Sequence, residues 1–388
     1  MINFFFRHYP PPHNGGGHVF FSDIIKNIGD NITLFTHKNA ENPNLDNVEF
    51  FPLSFVPESR KPSSGIKLYW SSVLSLFYFF IHRKNLINNG LHLGQIWPYG
   101  MVAYILKIFF NINFVIYILG EELSQVVINK RIKYYFIRII YGKILQSASH
   151  IFAYSTFVRD NVKIIYGDNH YDNISILSTG IDVKNFTTSK IAVPDNFNIY
   201  NKKIILFTLS RHIERKGIHN LIFSLKLLKS SNKNWHQYIA GEGPETSKLK
   251  NLVNELELND YVTFLGRISN QEMHACYKYA DIFILPNLIL NNGDADGCPI
   301  VFIEASAYAI PCIGGDVPGT KDAIKDGESG FIVDSKNHKL IKEKIELLVR
   351  NDCERKDMGI KAKMLISRDF KWKDRFELIR MINDKISN

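Results

Sequence analysis

Cysteine is scarce in this chain: Cys276, Cys298, Cys312 and Cys353 are all it has, with no C-x-x-C pair and no metal-ligand spacing. That argues against a structural zinc site, and a secreted chain of this size would usually show a bridging pattern. A reducing, cytoplasmic setting is therefore expected. The amino terminus, Met1 to Arg7, has no basic stretch before its apolar run and no small-residue cleavage site, so it reads as a first strand and not as a signal peptide. Long uninterrupted apolar runs are missing too. The longest tract, Ile96 to Leu119, is broken by Pro98, Lys107, Asn111 and Asn113, which a spanning helix tolerates poorly, and it reads as a buried helix followed by a buried strand. No internal repeat of solenoid length is present, which excludes a stacked-repeat scaffold. Basic residues are dispersed and no recognition module is visible, so no nucleic-acid partner is expected.

What is present is a globular composition, 45% apolar, in 388 residues, enough for two domains. Short runs rich in Ile, Val and Phe alternate with segments of helical period, which implies an α/β protein with parallel sheets wrapped by helices. The first set of expected strands is Ile2 to Phe6, Ile32 to His37, Leu91 to Trp97, Phe114 to Leu119, His150 to Ser155 and Ile174 to Leu177. The second set is Lys203 to Leu209, His236 to Ala240, Val262 to Leu265, Asp281 to Leu285, Pro311 to Ile313 and Phe331 to Val333. Ser269 to Glu272 has the capping-box spacing and should open a helix running to Ala280. The polar stretch Thr187 to Lys202 reads as the linker between the two sets. A net charge of +9 favours anionic partners without choosing among them.

The chemistry concentrates in the second half. The strand ending at Leu209 runs into Ser210-Arg211-His212-Ile213-Glu214-Arg215-Lys216-Gly217, which places Arg211 and Lys216 at the carboxyl mouth of a parallel strand. A fixed Arg and Lys there can stabilise a departing diphosphate. Further on, Asp296-Gly297-Cys298-Pro299 leads into Ile300-Val301-Phe302-Ile303-Glu304. Proline suits the first turn of a helix, and the amides that follow it form an anion site strengthened by the helix dipole. Asp296 before that helix and Glu304 within it supply two carboxylates, one for each sugar ring of a nucleotide-sugar. Taken singly, each residue also has an ordinary reading, a solvated basic loop, a helix cap or a half-buried carboxylate; their joint occurrence argues against those. The glycine runs Gly241-Glu242-Gly243 and Gly314 to Gly319 are weak signals alone.

These segments resemble the retaining glycosyltransferases of the GT-B fold, in particular the large family 4 (glycosyl transferases group 1) of bacterial cell-surface polysaccharide type. The run Asp296 to Ala305 resembles that family's pair of acidic residues separated by seven, and Ser210 to Gly217 its Arg-and-Lys phosphate loop. Weaker matches are Gly120-Glu121-Glu122, Ser155 with Arg159, and Thr179-Gly180-Ile181-Asp182 with Phe186. The resemblance implies two Rossmann-like doubly wound domains facing across a cleft: an acceptor domain over 1–190 and a nucleotide-sugar domain over 200–369, with a helix over 370–388, including Trp372 and Phe376, packing back onto the first. It implies a hexose-type sugar moved from a UDP- or GDP-sugar to a glycan or lipid-linked acceptor, with retention and with neither metal nor cofactor. Asp296, Arg211 and Lys216 would carry the chemistry. Donor contacts would come from Gly15, Gly16 and Gly17 of the loop Pro12 to Gly17, and from Arg211, Lys216, Gly243, Arg267, Ile268, Asp296, Gly297, Cys298, Pro299, Ile300, Val301 and Glu304.

Two positions depart from the family pattern. Asp296 stands where glutamate is usual, shorter by one methylene, about 1.5 Å of reach. Leu119 stands where a histidine is common, and leucine can form no hydrogen bond; His8, His13 and His18 lie near the N-terminal loop. A catalytically weak, nucleotide-sugar-binding relative is therefore the alternative reading. Two further segments bear on the acceptor. Lys130, Arg131, Lys133, Arg138 and Lys143 alternate with Tyr134, Tyr135, Phe136, Ile139 and Ile140, a pattern that fits either a helix on an anionic membrane surface or an amphipathic helix with a solvated basic face. Leu68 to Ile81 fits either a groove for a lipid tail or core packing. The membrane readings would make the protein peripheral at the inner face of the plasma membrane.

Overall fold

The computed structural model describes residues 1–10, 16–57, 65–128, 131–167, 172–183, 187, 190–198, 203–231, 234–291 and 293–387. The chain forms two compact units, Met1–Thr179 with Lys373–Asn388, and Gly180–Trp372. The chain changes unit at 179–180 and again at 372–373, so the polar stretch read as a linker falls inside the second unit.

The first unit carries seven strands, all parallel: β1 (Ile2–Phe5), β2 (Ile32–His37), β3 (Val48–Leu53), β4 (Leu91–Leu93), β5 (Phe114–Ile118), β6 (His150–Ala153) and β7 (Ile174–Ile176), in the order β3-β2-β1-β4-β5-β6-β7. The inner strands are continuous apolar runs because helices cover both faces of a parallel sheet. Their side chains make an aromatic core in which Phe6 stacks on Phe21 at 4.1 Å and Tyr117 meets Phe152 at 4.9 Å. The apolar tract Ile96 to Leu119 resolves into helix Tyr99–Phe110 and β5, and the helix is buried on one face only, leaving Ile108 and Phe109 in solvent. Leu91 to Trp97 is strand only to Leu93, because the chain leaves the sheet at Gly94, where a Cβ would lie 2.9 Å from Phe6 and 3.0 Å from Phe21. Helix Trp372–Ser387 returns to this unit: Asn113 Nδ2 donates to the Ile386 carbonyl at 2.8 Å, and Arg380 Nε donates to Asp30 at 2.7 Å.

The second unit carries β8 (Ile204–Leu209), β9 (Trp235–Ala240), β10 (Val262–Gly266), β11 (Ile282–Leu285), β12 (Cys312–Gly315) and β13 (Gly330–Val333), all parallel, in the order β10-β9-β8-β11-β12-β13. The expected strands are present within about a residue or two at each end. Its core gathers Leu206, Ile239, Ile282, Ile284 and Ile313 from the sheet with Leu221, Leu225 and Ile345 from the helices. Ser269 accepts from Glu272 N while Glu272 accepts from Ser269 N, closing the expected capping box on helix Asn270–Tyr279.

Candidate functional site

In an open parallel sheet, ligands bind at the carboxyl ends of the strands on either side of the point where strand order reverses. In the second unit those strands are β8 and β11. Beyond β8 the loop Ser210–Gly217 closes into a 3-10 turn over Glu214–Lys216, with Lys216 N bonded to the Ile213 carbonyl at 3.0 Å. Gly217 has φ +65, and a Cβ there would lie 1.9 Å from the Pro286 carbonyl oxygen. Only glycine accepts both conditions, and its absence of side chain lets the turn rest on the end of β11. The Leu288 amide then ties the two loops together through the Arg215 carbonyl, at 2.8 Å.

This approach brings Lys216 to Asp296. Lys216 Nζ lies 2.8 Å from Asp296 Oδ1, and Arg215 Nε reaches the same oxygen at 3.1 Å. Arg215 Nη1 also pairs with Asp294 at 3.3 Å. Asp296 is 7% exposed. Burial would raise its pKa, but the charges and hydrogen bonds of Lys216 and Arg215 outweigh it and hold the carboxyl below its ordinary value. Its second oxygen accepts from Asn287 Nδ2 at 3.3 Å. Asn287 is fully buried, and its side-chain oxygen accepts from Gly315 N at 3.1 Å and Thr320 Oγ1 at 3.2 Å, while its carbonyl accepts from Ser335 Oγ at 2.7 Å. Asn287, through its side chain and its carbonyl, thus fixes Asp296 relative to the ends of β11, β12 and β13.

Pro299 is the residue before helix Ile300–Ala307, with φ −69 and ψ 106, and not its first helical residue as expected. The early amides, of Ile300 and Val301, still have no preceding turn to bond to, which is what an anion site requires. Gly319 brings a second helix start, Pro318–Ala323, against this segment: a Cβ at 319 would lie 2.1 Å from the Gly297 carbonyl oxygen and 2.6 Å from that of Asp296. Cys298 is buried and Gly297 half-buried. Glu304 lies on the helix, half-buried, and its Oε2 accepts from the Tyr277 hydroxyl at 2.8 Å. Burial, followed by the Glu304 charge, pushes the Tyr277 phenol well above its ordinary range, so it stays a donor. Arg211 is exposed, and its side chain makes no hydrogen bond or ion pair among the described residues, while its carbonyl accepts from Ile213 N at 3.0 Å.

The loop after β9 stacks on the Arg211 loop, and Gly241 N ties it to the Gly266 carbonyl at the end of β10, at 2.7 Å. A Cβ on Gly241 would lie 1.9 Å from the Ser210 carbonyl oxygen, and one on Gly243 would lie 2.3 Å from that of His212. His212 is buried beneath them with Nδ1 2.9 Å from Thr246 Oγ1. Arg267 pairs with Glu242 on the surface at 3.1 Å, and Ile268 beside it is half-buried. A groove of about 530 Å³ lined by Glu214, His219, Leu288 and Lys336 flanks the turn but touches none of Arg211, Lys216, Asp296 or Glu304.

In the first unit, Gly15 lies outside the described residues, as do Pro12, His13, Asn14 and Lys130, and in the second so does Phe186. Gly16 and Gly17 open helix Gly16–Asn27, and a Cβ on Gly17 would lie 2.6 Å from Leu119 Cδ1. Leu119 is thus a packing residue at the end of β5. His8 and His18 pack edge to face at 5.5 Å, and burial, with the neighbouring His18 and Arg7, lowers His8 to about 3. Ser155 is the cap of helix Thr156–Tyr166, and Arg159 pairs with Asp160 on the surface. Arg138, counted above among the basic face, instead donates to the Val126 and Val127 carbonyls at the end of the preceding helix. Among the described residues no group of three His, Cys, Asp or Glu comes together as metal ligands.

Sequence reasoning missed Arg215, Asn287 and Tyr277 as partners of the acidic pair. Only Arg215 left a trace, as a second cation beside Lys216.

Residues 189–364 match the model of the glycosyl transferases group 1 family. The chain is 27% identical over 204 residues to a GDP-mannose-dependent alpha-(1-6)-phosphatidylinositol monomannoside mannosyltransferase of Mycobacterium tuberculosis, covering 52% of this chain and 53% of that one. It is 24% identical over 163 residues to the amylovoran biosynthesis glycosyltransferase AmsK of Erwinia amylovora, covering 40% of each. The chain thus spans about half, or less, of the length of these curated relatives. Anabaena HepE, solved in complex with UDP, superposes with a TM-score of 0.76 at 14% identity, covering 99% of this chain and 100% of that one, a likeness of fold. The chain is therefore a two-domain protein of the GT-B fold, and its residues 189–364 belong to the glycosyl transferases group 1 family.

Proposed function

We propose that this chain is a glycosyltransferase that moves a hexose-type sugar from a UDP- or GDP-sugar to a glycan or lipid-linked acceptor in cell-surface polysaccharide biosynthesis. The observation that carries this reading is the buried Asp296 carboxylate joined to Lys216 and Arg215 at the reversal point of the second sheet, beside an exposed Arg211. In this reading Arg211 and Lys216 hold the diphosphate, the amides of Ile300 and Val301 face its charge, and Glu304 holds the ribose. The bond from the anomeric carbon to the phosphate oxygen breaks as the acceptor oxygen bonds to that carbon on the same face. The acceptor proton passes to the departing phosphate, so no side chain need act as a strong base. The cations lower the barrier because charge accumulates on the phosphate as the bond breaks. The mannosyltransferase relative, whose name specifies GDP-mannose and a phosphatidylinositol mannoside, supports a nucleotide-sugar donor and a lipid-linked acceptor.

The test is release of UDP or GDP from a panel of sugar donors. Turnover that falls at least a hundredfold in Lys216→Ala supports transfer. The packing of Leu119 on Gly17 favours one second reading, a relative that binds nucleotide-sugar without turning it over. Calorimetric binding of UDP or GDP with no turnover of any donor would establish that reading; binding of neither nucleotide would sink both.

A further inference from the structure

Helix Gly65–Ile81 is built with its polarity reversed. The stripe Trp70, Leu74, Phe77 and Ile81, spaced as one helical face, is 58%, 45%, 67% and 66% exposed. On the other side Ser71 and Ser75 are buried with Phe79, and Ser71 Oγ bonds the Tyr99 hydroxyl at 2.7 Å. A helix that packs serine inward and tryptophan and phenylalanine outward does not have water as its partner. The surface continues onto helix Tyr99–Phe110, where Phe109 is 72% exposed and Phe110 meets Phe80 at 5.2 Å. Leu68 to Ile81 is therefore core only along the face that carries Ser71, Ser75 and Phe79, and it turns its aromatic stripe outward.

The charge around this face has one sign. From Ser59 to Gly120 the sequence contains no Asp and no Glu. Lys67, Arg83 and Lys84 border the apolar stripe, and the Arg83 guanidinium lies 4.6 Å from the Phe80 ring centroid. Among the described residues no helix is long and apolar enough to cross a membrane. Aromatic side chains bordered by cations on a helix that lies along a surface suit the headgroup level of an anionic bilayer. We infer that the face formed by Trp70, Phe77, Ile81 and Phe109 docks on an anionic lipid surface. This deepens the lipid-linked acceptor reading and rests on it. Helix Ile132–Ser147 also exposes Ile132, Tyr135 and Phe136, but its Arg138 is committed to backbone carbonyls, and the docking is assigned to the first face.

The topology gives the docking a use. Helices that join parallel strands run back from the carboxyl edge, so Tyr69 and Trp70, at the start of this one, stand toward the edge where ligands bind in such sheets. A lipid anchored in the bilayer would then present its headgroup beside that edge.

Flotation of the full chain with vesicles tests the inference. Phosphatidylcholine vesicles containing phosphatidylglycerol should carry the protein up, with less bound at raised salt, while phosphatidylcholine alone should carry little. Phe77→Glu combined with Phe109→Glu should reduce binding at least tenfold, since each removes an apolar ring from the contact and sets a carboxylate against the anionic surface. Tyr135→Glu combined with Phe136→Glu should leave binding within about twofold, because those rings lie outside the face. Undiminished flotation of the first variant, or equal binding to neutral vesicles, overturns the inference. So does a parent that ignores vesicles but forms a dimer by light scattering that the first variant loses, which would assign the face to a second copy. A thermal shift of that variant with UDP and GDP separates the two readings: a retained shift leaves donor binding intact whatever the vesicles show.

Discussion

Asp296 is shorter than the glutamate usual at its position in the family, and the structure shows what its carboxylate meets. One oxygen is shared by Lys216 and Arg215, and the other rests on Asn287. Removing the charge leaves two partly solvated cations facing one another. Asp296→Asn is expected to cost about 2 kcal/mol, below the roughly 3–5 for breaking a fully buried pair, because Lys216 and Arg215 keep some water. Urea unfolding measures it, and an unchanged midpoint would contradict the pairing. The sign with pH follows from the lowered pKa: the contribution is complete above the unfolded value near 4 and is lost as pH falls through the folded value. Glu304 is held differently, by a neutral donor. Tyr277→Phe removes that hydrogen bond, and if Glu304 holds the ribose, donor KM should rise roughly fivefold to tenfold with kcat nearly unchanged, the pattern of lost uniform binding. A fall in kcat at constant KM would place Glu304 in the chemistry instead. Arg211, Lys216, Asp296 and Glu304 were legible because each sits at a fixed offset from a strand end or helix start. Asn287 and Tyr277 were not, because an asparagine after a strand and a tyrosine late in a helix carry no local pattern; only the fold brings them to the carboxylates.

At the level of elements, the parallel strands were legible as buried apolar runs, and the edge strand β3 was not. Its sequence, Val-Glu-Phe-Phe-Pro-Leu, contains Pro52, and most of its side chains are exposed or half-exposed. An edge strand with a free side tolerates proline, so the pattern reads as loop. The inner strands carry a different hidden feature, histidines in an apolar sheet. His92 on β4 is fully buried, with Nδ1 2.9 Å from the Tyr117 hydroxyl, and burial lowers it to about 3; His150 on β6 is lowered to about 4, again chiefly by burial. Both are neutral when folded and take up a proton near pH 6.5 when unfolded. The unfolded state therefore binds more protons between the two values, and stability falls as pH drops below about 6.5. At pH 5 each should weaken folding by about 2 kcal/mol relative to pH 7. Thermal unfolding across pH 5–7 of the parent and His92→Gln checks this, the variant being expected to lose about 2 kcal/mol of the decline, the share of one histidine among several that burial lowers, His8 and His236 included.

The whole molecule returns its last helix to its first unit. The two chain crossings lie side by side: Ile181 N bonds the Phe370 carbonyl at 2.6 Å, and Gly180 leaves room that a Cβ would take from Trp372, 2.5 Å away. Beyond them Phe376, Ile379, Ile382 and Ile386 are buried in the first unit, and Arg380 reaches Asp30 and the Ile28 carbonyl. Burial of four such side chains is worth about 1.5–3 kcal/mol each, a sum comparable to the roughly 5–15 kcal/mol that holds a whole domain. Deleting Lys373–Asn388 should therefore unfold the first unit and spare the second, whose buried apolar residues end at Phe370. Limited proteolysis of the truncated chain should cut within residues 1–179 and leave a protected fragment of about residues 180–372. That fragment should still shift its melting temperature with UDP or GDP, since the pairing of Arg215, Lys216 and Asp296 lies entirely within it. Equal protease resistance of both units after truncation would mean that the final helix only covers the first sheet and does not complete its core.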